Sequence, residues 1–124
     1  MTLDWNSDPL AAGLACYRAE QFFDTHELWE SVWLTLQEPE KSFLQSLVQV
    51  TAAFHHFERN NIAGTVSLLR RALIRLSQCP ALFGGIEVAS LRTEIKQWLQ
   101  VLEAGLTTYP ATYPRIRPVN ARPE

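Results

Sequence analysis

Cysteine is scarce in this chain. Only Cys16 and Cys79 occur among 124 residues, and no Cys-x-x-Cys pair exists. That excludes a disulfide framework and a thiolate zinc cluster, and it suits two free, buried thiols in a reducing cytosol. Long apolar runs are missing as well: none approaches the roughly 20 residues that span a bilayer. The start, Met1-Thr2-Leu3-Asp4-Trp5, lacks the basic residues and apolar run of a secretory signal. An excess of one charge is also absent. Eleven Lys and Arg stand against thirteen Asp and Glu, a net charge of −2, so no global field draws nucleic acid or an anionic membrane. With five glycines there is no Gly-rich phosphate loop and no Gly-x-Ser-x-Gly nucleophile elbow. The expectation is a cytoplasmic globular protein without membrane or nucleic-acid partners, for which a homo-oligomer is compatible.

What is present is helical. The length suits one domain, with a core over about residues 8–105 and a tail over 106–124. Asp8-Pro9 reads as an N-cap with proline at the first helical position, opening a helix to about Gln21. Asp24 and Glu27 fit a capping box, which predicts a second helix over about 25–36 and a kink or tight corner at Phe22-Phe23. Pro39 opens a third helix to about Arg59, and Asn60-Asn61 reads as a turn. A fourth helix over about 62–78 carries Ile62, Val66, Leu69, Leu73 and Leu76 on one stripe. Arg71 and Arg75 fall on its solvated side, and Arg70 lies near enough to the stripe to reach a carboxylate. Gly84-Gly85 marks a loop. A fifth helix over about 87–104 buries Val88, Leu91, Ile95, Trp98, Leu99 and Leu102, with Gly105 as its C-cap. The tail holds four prolines and three arginines, and is either disordered or laid over the bundle by Tyr109, Tyr113 and Ile116. No segment has strand periodicity. The fold class is all-α: a compact bundle of about five helices with a Pro-rich C-terminal tail.

The third helix is unlike the others. From Ser42 to Phe57 sixteen residues pass without a charge, which marks the central rod of the bundle. Phe43, Leu47, Val50, Phe54 and Phe57 form its apolar arc. Gln45, Gln49, Ala52 and His56 share a second face within about 60°. Buried polar groups need partners, and this stripe is expected to find them on the second helix.

There stands the segment that carries chemistry, His26-Glu27-Leu28-Trp29-Glu30-Ser31-Val32-Trp33. At about 100° per residue, with His26 at 0°, Glu30 lies near 40°, Trp33 near 340°, Trp29 near 300° and Glu27 near 100°. His26 and Glu30 therefore sit on the shoulder of the apolar stripe, where bundles build metal sites from facing helices. They would be two ligands of a divalent metal, with His56 or His55 as the third; His56 is preferred because it shares the face of Gln49. Imidazole and carboxylate together suit zinc, manganese or iron. Trp33, Gln49, Gln45 and Trp29 would wall the site, Trp29 chiefly as core. Glu27 caps its helix, or acts as general base if the metal activates water. The same residues also support a second reading, a non-catalytic structural or interaction module in which they form a buried hydrogen-bond network. The sequence names no reaction.

These motifs resemble a family of small bacterial and archaeal proteins, domain of unknown function 309, whose hallmark is His-x-x-x-Glu-x-x-(Trp/Tyr). The resemblance runs from His26–Trp33 through Phe43-Leu44-Gln45-Ser46-Leu47-Val48-Gln49 and Ala52-Ala53-Phe54-His55-His56. It continues through Gly64, Leu68-Leu69-Arg70-Arg71-Ala72 and Tyr113-Pro114-Arg115-Ile116, about residues 10–118 in all. It implies a compact all-helical fold and a motif suspected of binding metal, with no established activity. Where members often carry glycine after the first glutamine, this chain has Ser46, which bears on close helix packing.

Overall fold

The computed structural model describes residues 3–119. Five helices follow one another: α1 (Leu10–Arg18), α2 (Phe22–Trp33), α3 (Glu40–Glu58), α4 (Ile62–Ser77) and α5 (Val88–Glu103). A hairpin, β1 (Leu82–Phe83) and β2 (Ile86–Glu87), precedes α5. The two-residue ladder corrects the expectation of no strand. Gly84 and Gly85 both take positive φ, 60° and 79°, the conformation a two-residue hairpin turn requires.

Three helices stop in the same way. Glu20, Asn60 and Gly105 have φ of 61°, 61° and 70° after α1, α3 and α5. In each case that residue's N–H and the next one reach back to the last turn: Glu20 to Tyr17 and Gln21 to Cys16, Asn60 to Phe57 and Asn61 to His56, Gly105 to Leu102 and Leu106 to Val101. This is the Schellman closure, which satisfies carbonyls that the helix end leaves without partners. Asn60 and Gly105 announce it by residue type. Glu20 does not, and so the first corner falls two residues before the expected Phe22-Phe23.

The start of α2 is accordingly corrected. It begins at Phe22 with Gln21 as N-cap, so Asp24 and Glu27 form no capping box. The reason is tertiary. Phe22 is buried against Tyr17, with ring centroids 5.4 Å apart, and against Tyr113 at 5.1 Å, and this packing draws it into the helix. At the other junction the expected Asn60-Asn61 turn is present, and the Asn61 side chain accepts from Gly64 N and caps α4.

Helix α3 is the central rod. Leu44, Leu47, Val50, Ala53 and Phe54 are wholly buried, and so are Ser46 and Thr51. Both hydroxyls donate to carbonyls one turn back, Ser46 to Phe43 and Thr51 to Val48. Ser46 thus makes a small, satisfied contact in the core. The N-terminal segment joins the core through Leu3 and Trp5, whose indole N–H donates to Gly84 O at 2.7 Å.

The tail, through Val119, is laid over the bundle. Trp98 lies parallel to Tyr109 and to Tyr113, at centroid distances of 5.6 and 5.5 Å. Its N–H donates to Thr112 O at 3.0 Å. The Tyr17 hydroxyl donates to Pro114 O. Glu94 accepts from Arg115 N and from the Arg117 guanidinium, each at 2.8 Å. Ile116 is buried, and Pro118 bridges Ile86 at the hairpin edge. Elsewhere on the surface, Arg70 does reach a carboxylate, that of Glu103 on α5. The two thiols are half-buried rather than buried. Among the described residues no helix is long and apolar enough to cross a membrane.

Candidate functional site

Helix α2 turns Phe22, Thr25 and Trp29 into the core. Trp29 is wholly buried, donates to Leu10 O at 3.2 Å and meets Trp5 edge-on at 5.5 Å. With that direction fixed, His26 and Glu30 fall on the shoulder, at 32% and 46% side-chain exposure. His26 Nε2 and Glu30 Oε2 stand 3.6 Å apart, beyond hydrogen-bond length. Glu27 is exposed beside them. One donor atom from each of His26, Glu27 and Glu30 lies within 4.8 Å of the others.

The spacing has chemical meaning. Two ligands about 2.1 Å from one tetrahedral ion stand about 3.4 Å apart. The His26–Glu30 separation of 3.6 Å is close to that, and a Glu27 oxygen lies within 4.8 Å of both. One imidazole nitrogen and two carboxylates fit zinc, manganese or iron. Their partial exposure leaves room for water to complete the shell.

The structure does not bring a helix-three histidine to this group. His56 Nδ1 lies 3.2 Å from Asn61 Nδ2, at the start of α4. His55 packs against Phe23, with centroids 6.0 Å apart. The face of α3 that meets α2 is marked by that contact and by Lys41 Nζ, 5.0 Å from the Trp33 ring centroid. Counting about 100° per residue from Lys41, His55 sits near 320°, whereas His56 and Gln49 sit near 60° and 80°. His56 thus lies about 100° round from His55 and turns to Asn61 at the start of α4, while the whole stripe is half-buried. Gln49 Oε1 and Trp33 Nε1 are both buried without a hydrogen-bond partner among the described residues, and Gln45 is half-buried. Helical periodicity placed the stripe correctly on α3. It could not say which neighbour the stripe would face.

The buried network expected as the alternative is not what α2 presents, since its two principal members are half-exposed and not hydrogen-bonded to each other. A second concave region escaped the sequence reading altogether. It lies between the ends of α1 and α3 and the tail, measures about 590 Å³, and includes Tyr17, Phe57 and Trp98 in its walls. Burial pushes the Tyr17 phenol far above its ordinary pKa, with the Glu94 carboxylate and Tyr113 adding to the shift. Burial likewise raises Tyr113, helped by Glu58 and Glu20. The only advance signal was the recurrence of tyrosine and proline in the tail.

Comparison with known proteins follows the same lines. Residues 10–68 match the family described as domain of unknown function (DUF309). That is the family the motifs resemble, matched from α1 into the first turns of α4. An uncharacterized protein of Aquifex aeolicus (strain VF5) is 29% identical over 85 residues, covering 68% of this chain. The aligned stretch spans 26% of that relative's length.

Proposed function

We propose that His26, Glu27 and Glu30 bind a divalent transition metal on the exposed shoulder of α2. The observation that carries this reading is the approach of three donor atoms, one imidazole nitrogen and two carboxylate oxygens, within 4.8 Å on a single helix. Glu27 takes the place first expected of a helix-three histidine. When bound at such a half-open site, the metal would supply a Lewis acid and an activated water. The residues themselves hold and orient it: His26 and Glu30 one turn apart, Glu27 from the outer flank. The buried Trp29 fixes the rotation of the helix beneath them. Cytoplasmic residence belongs to the same proposal, for which the two free thiols are the support.

The test is metal content and calorimetric titration of untagged protein with Zn²⁺ and Mn²⁺. Stoichiometric binding that His26→Ala and Glu30→Gln abolish supports the reading. No binding, or binding indifferent to both substitutions, rejects it.

A further inference from the structure

The hollow beneath the tail is independent of the α2 group. At about 590 Å³ it falls within the range of small-molecule pockets, roughly 300–1,000 Å³. Its floor is aromatic. Trp98, only 3% exposed, is covered by Tyr109 and Tyr113, which lie parallel to it. The accessible rings are therefore those of Tyr109, 38% exposed, and the half-buried Tyr113. Such a floor favours a flat, apolar ligand body.

Several polar groups of the lining are already paired, and the charge left over is positive. The Tyr17 hydroxyl is committed to Pro114 O, the Trp98 N–H to Thr112 O, and the Arg115 N–H to Glu94. Those bonds also occupy two carbonyls of the tail. Of the charged side chains in the lining, Arg117 is neutralised by Glu94. Arg18 and Arg115 remain, both exposed and without an ion pair among the described residues, against the single carboxylate of Glu20. Glu58, close enough to act on the Tyr113 phenol, lies outside the lining. Two guanidinium groups at the rim of an aromatic floor match a ligand with a flat body and one anionic group.

We propose that this hollow is a binding site for a small aromatic anion, whose ring lies against Tyr109 and Tyr113 and whose carboxylate, sulfonate or phosphate meets Arg18 and Arg115. A pair of probes separates the two halves of the claim. 8-Anilinonaphthalene-1-sulfonate carries the body and the anion; N-phenyl-1-naphthylamine carries the same body without the charge. Fluorescence titration should show saturable binding of the sulfonate at one site, weakened by salt. Arg18→Ala with Arg115→Ala should weaken it by about tenfold, the sum of two partly exposed charge contacts. The uncharged probe should bind more weakly and ignore both substitutions. Ala111→Trp, which places an indole at the mouth, should block both probes, with melting temperature reporting that each variant is folded. Equal affinity for the two probes, an unchanged sulfonate titration in the double variant, or no saturable binding would each overturn the proposal. None of these outcomes bears on metal binding at His26.

Discussion

The indole of Trp29 fills the notch that glycine leaves at position 13: a Cβ on Gly13 would overlap Trp29 Nε1. This contact joins α1 to α2 and sets the rotation of α2 about its own axis, which in turn decides which side chains face outward. The shoulder position of His26 and Glu30 follows from it.

Gly13→Ala is therefore expected to destabilise the protein by about 1–3 kcal/mol, the usual cost of overpacking a core. Intrinsic helix propensity alone would favour alanine by about 1 kcal/mol. The sign of the change thus discriminates between local and tertiary control. Urea unfolding measures it; an unchanged or higher midpoint would show that α2 does not depend on the notch.

His26→Ala should be nearly silent in the absence of metal, within about 1 kcal/mol, because the ring is half-exposed and no hydrogen bond to Glu30 is lost. With Zn²⁺ or Mn²⁺ at a hundredfold excess over its dissociation constant, the unaltered protein should gain about 2.7 kcal/mol, a rise on the order of 10 °C in melting temperature. The variant should show none of that rise. A large loss of stability without metal would instead place His26 in a structural role.

Alkaline pH should weaken the fold. The Tyr17 phenol is raised in the folded state by burial, so above its unfolded pKa near 10 the unfolded chain releases a proton that the folded one keeps. Stability is complete below that pH and falls as pH rises beyond it. Tyr17→Phe removes the titrating group and should flatten the decline between pH 10 and 12 (about the window of the unfolded phenol). It should also cost about 1 kcal/mol at neutral pH through the unpaired Pro114 carbonyl. An identical alkaline slope in the variant would contradict the assignment.

Glu94→Ala should loosen the tail. It deletes the acceptor of both the Arg115 N–H and the Arg117 guanidinium, in a setting where the two charged side chains are 22% and 33% exposed. A loss of about 1–2 kcal/mol is expected. Faster hydrogen exchange should be confined to residues 112–119 and the neighbouring hairpin. Uniform acceleration across α1 to α4 would mean that the tail and the bundle unfold as one unit.

Asn61→Ala should cost about 1 kcal/mol by removing the cap of α4. It also frees His56 Nδ1 from its present neighbour. If metal affinity then rises, His56 is able to swing toward the α2 group; if it does not, releasing His56 adds no ligand.

Much of this architecture is legible in the chain itself. Proline at 39, the Asn60-Asn61 turn and Gly105 mark helix boundaries by local chemistry, and the uncharged run over 42–57 marks the central helix. The spacing of His26 and Glu30 follows from helical periodicity alone. Where local signals mislead, a long-range contact has decided. Phe22 enters α2 because Tyr17 and Tyr113 bury it, not because of any residue beside it.

By itself, then, the sequence determined five helices, a buried third helix and a His–Glu pair one turn apart, because each rests on interactions within a few residues. Tertiary structure alone decided that His56 meets Asn61 and His55 meets Phe23, with neither joining His26 and Glu30. It also decided that Tyr17, Trp98 and Glu94 hold the tail against the bundle. Those outcomes depend on rotations of whole helices and on contacts across as many as 97 positions of chain. Periodicity fixes angles within a helix; only packing fixes them between helices.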